Sequence, residues 1–126
     1  MATLDHIIVN VNDLEASVAF YTQIMGFALE GKDGPFTVIQ VNRDFQMLLV
    51  AHPTDGGEHY AFAMSRSEFD GVFERIKTAG VAYGPSFNSV DSNAGVGKES
   101  GARGLAPSVY FNDPNRHLLE IRTYEP

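Results

Sequence analysis

The chain is 126 residues long, 44% hydrophobic and 20% charged, which is the profile of one soluble globular domain able to bury a core without staples. A formal net charge of −7 opposes binding to nucleic acid, and no apolar run approaches the roughly 18 residues that a membrane span requires. The absence of cysteine removes disulfides, thiolate metal sites and thiol nucleophiles, so any chemistry must come from imidazole, carboxylate, hydroxyl, amine or backbone groups. The N-terminal segment MATLDHIIVN has neither the basic region nor the cleavage site of a signal peptide, and the expected location is the cytoplasm.

In chain order, Leu4 to Val11 reads as a strand, and Asn12 with Glu15 reads as a capping box opening a helix from about Asp13 to Met25. Leu14, Val18, Tyr21 and Met25 form the apolar face of that helix, and Gly26 stops it. Strands follow at Phe27–Gly31, Phe36–Asn42 and Phe45–Ala51, separated by Gly34-Pro35 and by Asn42-Arg43-Asp44. The plan then repeats. His59–Met64 is a strand, Ser65 and Glu68 cap a helix with Phe69, Val72, Phe73 and Ile76 on its buried face, and Gly80 ends it. Strands near Val81–Tyr83, Pro107–Asn112 and His117–Thr123 complete a second βαβββ unit, with Asp113-Pro114-Asn115-Arg116 as a turn. The repeat units span about 1–52 and 57–126 of a single domain. The segment from Pro85 to Gly104 is Gly-, Ser- and Asn-rich and reads as a long loop, either a mobile surface segment or a lid.

Alternation along the strands sorts the polar groups. It places His6 with Leu4 and Ile8, His59 with Ala61 and Ala63, and Glu120 with Leu118 and Arg122, all on the faces turned away from the helices. One histidine on a strand is usually a structural residue, and one glutamate between apolar neighbours is usually a solvated face. Three such groups among small and apolar residues instead suit a ligand-sized pocket. Two imidazoles and a carboxylate with open positions suit a divalent ion of the Fe(II) or Mn(II) kind. Aligning Asn42-Arg43 with Asn115-Arg116 sets Met47 opposite Glu120, and aligning the two first strands sets His6 opposite His59. Arg122 either orients a substrate anion or pairs with a neighbouring carboxylate. His52 and His117 read as surface or turn histidines.

The opening LDHIIVNVNDLEASVAFYTQIMGF, the internal EHYAFAM and the closing VYFNDPNRHLLEIR resemble the vicinal oxygen chelate superfamily across essentially the whole chain. That superfamily includes glyoxalase I, fosfomycin-resistance transferases, extradiol dioxygenases, methylmalonyl-CoA epimerase and metal-free bleomycin-binding proteins. The resemblance implies an α+β fold in which two βαβββ units form a cup-shaped mixed sheet with helices outside. It implies one divalent metal ion (Fe, Mn, Ni or Zn) on His6, His59 and Glu120. Tyr110 matches a tyrosine lining the substrate site of the fosfomycin-resistance proteins, which marks it as a candidate catalytic residue. Ser108 on the same face, Met47 and Arg122 are candidate substrate contacts. Glyoxalase I carries a fourth, acidic ligand where the alignment puts Met47, and a thioether is a poor substitute, so classical glyoxalase I chemistry is disfavoured. Lys98, Ser100 and Arg103 do not closely reproduce the anion-binding loop of the phosphonate-binding relatives. The implied function is a metal-dependent enzyme acting on a small substrate that chelates through oxygens, with a metal-free drug-binding protein as the alternative. Exposed strand edges and the usual habit of such chains imply a homodimer.

Overall fold

The computed structural model describes residues 1–126, which divide into two compact units, Met1–Asp55 and Gly56–Pro126. Each unit contains a mixed β-sheet and a helix, an α+β arrangement.

In the first unit, β1 (His6–Val11) is followed by α1 (Leu14–Ala19), which continues as a π-helical turn over Phe20–Ile24. The cap of α1 is one residue later than the sequence suggests. Asp13 accepts the Ala16 N–H at 3.2 Å, whereas Asn12 exchanges two hydrogen bonds of 2.9 Å with the backbone of Thr54, tying the start of the helix to the end of the unit. Burial along the helix follows the expected face only in part. Ser17, Phe20, Tyr21 and Met25 are buried, while Leu14 and Val18 are only half-buried. Gly26, at φ 79°, ends the segment in a conformation that glycine adopts without strain.

Three strands complete this sheet: β2 (Ala28–Asp33), β3 (Phe36–Asn42) and β4 (Phe45–Ala51). They run antiparallel, and β1 adds to β4 in parallel, giving the order β1-β4-β3-β2. The β1–β4 register pairs His6 with Gln46, Ile7 with Met47, Ile8 with Leu48 and Val9 with Leu49. Paired residues share a face, so Met47 lies with Ile7, Val9 and Leu49 and is fully buried. Met47 therefore does not share the face of His6, as the repeat alignment had it. The residues that do are Gln46 and Leu48.

The second unit opens with β5 (His59–Ala63) and α2 (Arg66–Thr78). Here the capping box is complete. The Glu68 N–H donates to Ser65 Oγ at 3.1 Å and the Ser65 N–H donates to Glu68 Oε1 at 3.2 Å. Phe69, Val72 and Ile76 are buried, and Gly80 follows at φ 73°. The sheet is built from β5, β6 (Tyr83–Gly84), β7 (Gly97–Gly101), β8 (Gly104–Asn112) and β9 (Leu118–Arg122), in the order β5-β9-β8-β6 with β7 also paired to β8. The segment expected to be a loop thus contains a strand. β7 runs antiparallel to β8 from Gly97↔Ser108 to Gly101↔Gly104, and its Gly- and Ser-containing sequence carries little strand propensity of its own.

The β8–β9 turn is held by Asp113, whose Oδ1 accepts the N–H groups of Asn115 and His117 at 2.8 and 2.9 Å. His117 is a turn residue, as its sequence context suggests, but it is buried rather than on the surface. Its Nδ1 accepts the Glu58 N–H at 3.4 Å. No helix is long and apolar enough to cross a membrane.

Candidate functional site

Parallel pairing of β5 with β9 sets His59 beside Leu118, Ala61 beside Glu120 and Ala63 beside Arg122. Antiparallel pairing of β8 adds Tyr110 beside Glu120 and Ser108 beside Arg122. One face of the second sheet therefore gathers His59, Glu120, Arg122, Tyr110 and Ser108, with Ala61 and Ala63 providing room. Glu120 is the centre of this group. Its side chain is only 5% exposed, Oε2 accepts from Arg122 Nη1 at 2.6 Å, and Oε1 lies 3.4 Å from His59 Nε2.

His59 has a fixed orientation. Its Nδ1 lies 3.1 Å from the Leu118 carbonyl oxygen, which can only accept, so Nδ1 carries the proton. In the neutral ring Nε2 then presents a lone pair toward Glu120 Oε1. Two acceptor atoms converging on one point, one ring anchored through its other nitrogen, are a donor pair that could hold part of a metal ion's shell, with an outer hydrogen bond in place. The side chain of His59 is 47% exposed, so part of the ring faces solvent. Within this unit the pair is not completed by a third His, Asp or Glu.

Tyr110 stacks on His59 with ring centroids 6.1 Å apart and planes 15° from parallel. Burial, followed by a hydrogen bond to Glu120, pushes the phenol well above its ordinary pKa, so Tyr110 stays a neutral donor to the carboxylate. Ser108 is fully buried and its hydroxyl donates to the Ala106 carbonyl at 2.9 Å, which turns it away from the role of substrate contact.

Arg122 is also committed within the protein. Besides Glu120, it donates to Tyr124 Oη (3.1 Å) and to the carbonyls of Ser100 (3.1 Å), Glu99 (2.9 Å) and Gly104 (3.0 Å), which together use its five N–H groups. Of the two roles its sequence position allowed, the structure selects pairing with a carboxylate over contact with a substrate anion. Burial opposes its charge, but the hydrogen bonds to Glu120 and Tyr124 more than offset this and raise its pKa above the ordinary arginine value.

In the first unit, His6 repeats the design of His59 with a different anchor. Its Nδ1 lies 2.7 Å from Asp5 Oδ2, so Nδ1–H donates to the carboxylate and Nε2 is left with its lone pair. The adjacency of Asp5 and His6 is a legible signal that the sequence reading did not use. Tyr124 was legible too, two residues beyond Arg122. The three carbonyls around Arg122 leave no mark on side-chain identity.

The sequence profile of the Glyoxalase/Bleomycin resistance protein/Dioxygenase superfamily matches residues 3–121. Among curated relatives, the metallothiol transferase FosB of Lysinibacillus sphaericus is 28% identical over 127 residues, covering 96% of this chain and 82% of the relative. The glutathione transferase FosA of Serratia marcescens is 25% identical, covering 96% of this chain and 80% of its own length. Among solved structures, the oxidase ChaP-H2 superposes with a TM-score of 0.82 at 30% identity, over 97% of this chain and 93% of the other.

Proposed function

This chain belongs to the Glyoxalase/Bleomycin resistance protein/Dioxygenase superfamily, and from that premise we propose that it is a divalent-metal-dependent enzyme acting on a small substrate through two neighbouring oxygen atoms. The observation that carries the reading is the convergence of His59 Nε2 and Glu120 Oε1 at 3.4 Å, with the other nitrogen of His59 fixed by the Leu118 carbonyl. His59, Glu120 and His6 are the proposed ligands. The case for His6 is its local design, an anchored Nδ1 and a free Nε2 on the equivalent first strand. When bound, a divalent ion there supplies Lewis acidity toward the substrate oxygens. Tyr110 keeps its proton and holds the Glu120 carboxylate, and its ring packs along His59. Ala61 and Ala63 leave space on the same face for the substrate.

The relatives named above divide between thiol transferases and an oxidase, and the engagement of Arg122 bears on the choice. With its five N–H groups committed, it offers nothing to a phosphonate, which favours a neutral, enol- or catechol-like oxygen chelator over a fosfomycin-like anion. The enzyme is proposed to work as a homodimer.

Metal analysis of protein purified without chelator, alongside His6→Ala, His59→Ala and Glu120→Ala, tests the ligand set. One ion per chain in the wild type, lost or much weakened in each variant, is the expected result, whereas a wild type without tight metal binding returns the chain to the drug-binding alternative. Turnover of catechols against fosfomycin plus thiol, each with Fe, Mn, Ni and Zn, separates the substrate classes. Metal binding regained on mixing His6→Ala with Glu120→Ala protein would locate the site between chains of the dimer.

A further inference from the structure

The β7–β8 hairpin closes around the guanidinium of Arg122. Three of the five hydrogen bonds of Arg122 end on backbone carbonyls of this hairpin, at Glu99, Ser100 and Gly104, and a fourth ends on Tyr124 Oη. The fifth reaches Glu120 Oε2 at 2.6 Å, between two side chains that are each 5% exposed. Tyr124 is itself held to the hairpin. The Arg103 N–H donates to its hydroxyl at 3.2 Å and the Arg103 guanidinium lies 4.3 Å from its ring centroid.

Gly101 makes this packing possible. A Cβ there would collide with Arg122 Cζ and come within 2.5 Å of Arg122 Nη2 and 2.6 Å of Tyr124 Oη. Gly101 is not among the glycines held at positive φ, so what requires glycine at this position is the guanidinium and not the backbone.

We propose that Gly101, Arg122 and Tyr124 are positioning residues for Glu120: the hairpin seats the guanidinium, the guanidinium holds Oε2, and Oε1 is left facing His59 as the ligating oxygen. Hydrogen-bond partners behind a ligand set its orientation and affinity, and here the partner behind Glu120 is fixed by a separate piece of backbone. This also gives the strand inserted between β6 and β8 a purpose. A buried guanidinium with five N–H groups needs acceptors, and the carbonyls of Glu99, Ser100 and Gly104 supply three of them. The inference rests on the assignment of Glu120 as a metal ligand.

The test is Mn(II) and Zn(II) affinity, by competition with a fluorescent chelator, for the wild type, Gly101→Ala, Tyr124→Phe, Glu120→Gln and the double variants carrying Glu120→Gln, with urea unfolding of each. Gly101→Ala displaces the end of a flexible side chain and leaves the backbone in place, and Tyr124→Phe removes one oxygen, so the second variant serves if the first folds poorly. The expected result is affinity weakened about 10–100-fold by Gly101→Ala and by a smaller factor by Tyr124→Phe, with both losses largely absent in the Glu120→Gln background. Wild-type affinity in both folded single variants, or equal losses with and without Glu120, would overturn the positioning role while leaving the ligand assignment intact. A wild type that binds neither metal, or a Glu120→Gln variant that binds as tightly as the wild type, would overturn the ligand assignment and the inference with it.

Discussion

The two units share the same strand, helix and parallel closing strand, and differ most in what that closing strand carries. In β9 the residues two and four places beyond the partner of His59 are Glu120 and Arg122. In β4 the residues two and four places beyond the partner of His6 are Leu48 and Val50. Where the second unit buries an ion pair, the first buries a leucine and half-buries a valine. An ion pair removed from water needs partners for all of its remaining donors and acceptors, and only the second unit has the extra hairpin that provides them. The first unit has one histidine on this face, and its exposed partner, Asp5, sits one residue away. One plan thus carries a lone histidine with only its neighbour for support, whereas the buried Glu120–Arg122 pair comes with added chain.

The largest expected effect follows from that difference. Arg122→Met leaves the Glu120 carboxylate buried without its cation and strips three hairpin carbonyls of their donor, which should cost about 3–5 kcal/mol in urea unfolding. Val50→Ala, at the matching place in the first unit, should cost less than about 1.5 kcal/mol. Similar losses in the two variants would mean that the ion pair contributes no more than a packed aliphatic residue, and the contrast between the units would collapse.

The two helix starts offer a finer contrast. Ser65→Ala breaks a reciprocal box and Asp13→Ala a single hydrogen bond, so each should cost about 1 kcal/mol, with Ser65 the more costly. Asn12→Ala should leave the helical circular dichroism signal unchanged, because Asp13 is the N-cap and Asn12 bonds the backbone of Thr54. A loss of helix in Asn12→Ala but not in Asp13→Ala would restore the cap that the sequence suggests.

These cases show what was legible in the sequence and what was not. The Ser65–Glu68 box, the α2 face and the strands flanking the Asn42-Arg43-Asp44 and Asp113-Pro114-Asn115-Arg116 turns are local patterns, and they were readable. Asn12 and Asp13 are both good capping residues, and the choice between them depends on Thr54, 42 residues away. On the first helix Tyr21 and Met25 are buried as the apolar spacing suggests and Leu14 and Val18 only half so, while the π turn at Phe20–Ile24 is a feature the 3.6-residue period does not anticipate. Matching the two Asn-Arg pairs placed Met47 opposite Glu120, one residue out of register. In a strand, a one-residue slip changes the face, and β1–β4 pairing puts Leu48 there instead. The direction of His59 and Glu120 was readable from alternation. The environment of Arg122 was not, since it is made of carbonyls on a strand whose composition reads as loop.

The smallest expected effect concerns one buried hydroxyl in each unit. Thr37 Oγ1, in β3 of the first unit, is the one buried side-chain polar atom without a hydrogen-bond partner, and it sits beside a groove of about 420 Å³ lined by Val18, Thr22, Leu29 and Lys32. Ser108, in β8 of the second unit, is buried as deeply, but its hydroxyl donates to the Ala106 carbonyl. An unpaired buried hydroxyl pays its desolvation without return, so Thr37→Val, which keeps the shape and replaces the oxygen by a methyl, should leave stability unchanged or raise it by about 1 kcal/mol. Ser108→Ala removes a satisfied bond and leaves a carbonyl short of a donor, so it should lower stability by about 1 kcal/mol. Urea unfolding of both variants in the same buffer reads the two signs directly. A loss of more than about 1 kcal/mol in Thr37→Val would mean that the hydroxyl has a partner in solution, and the two units would then be equally well satisfied in their buried polar groups.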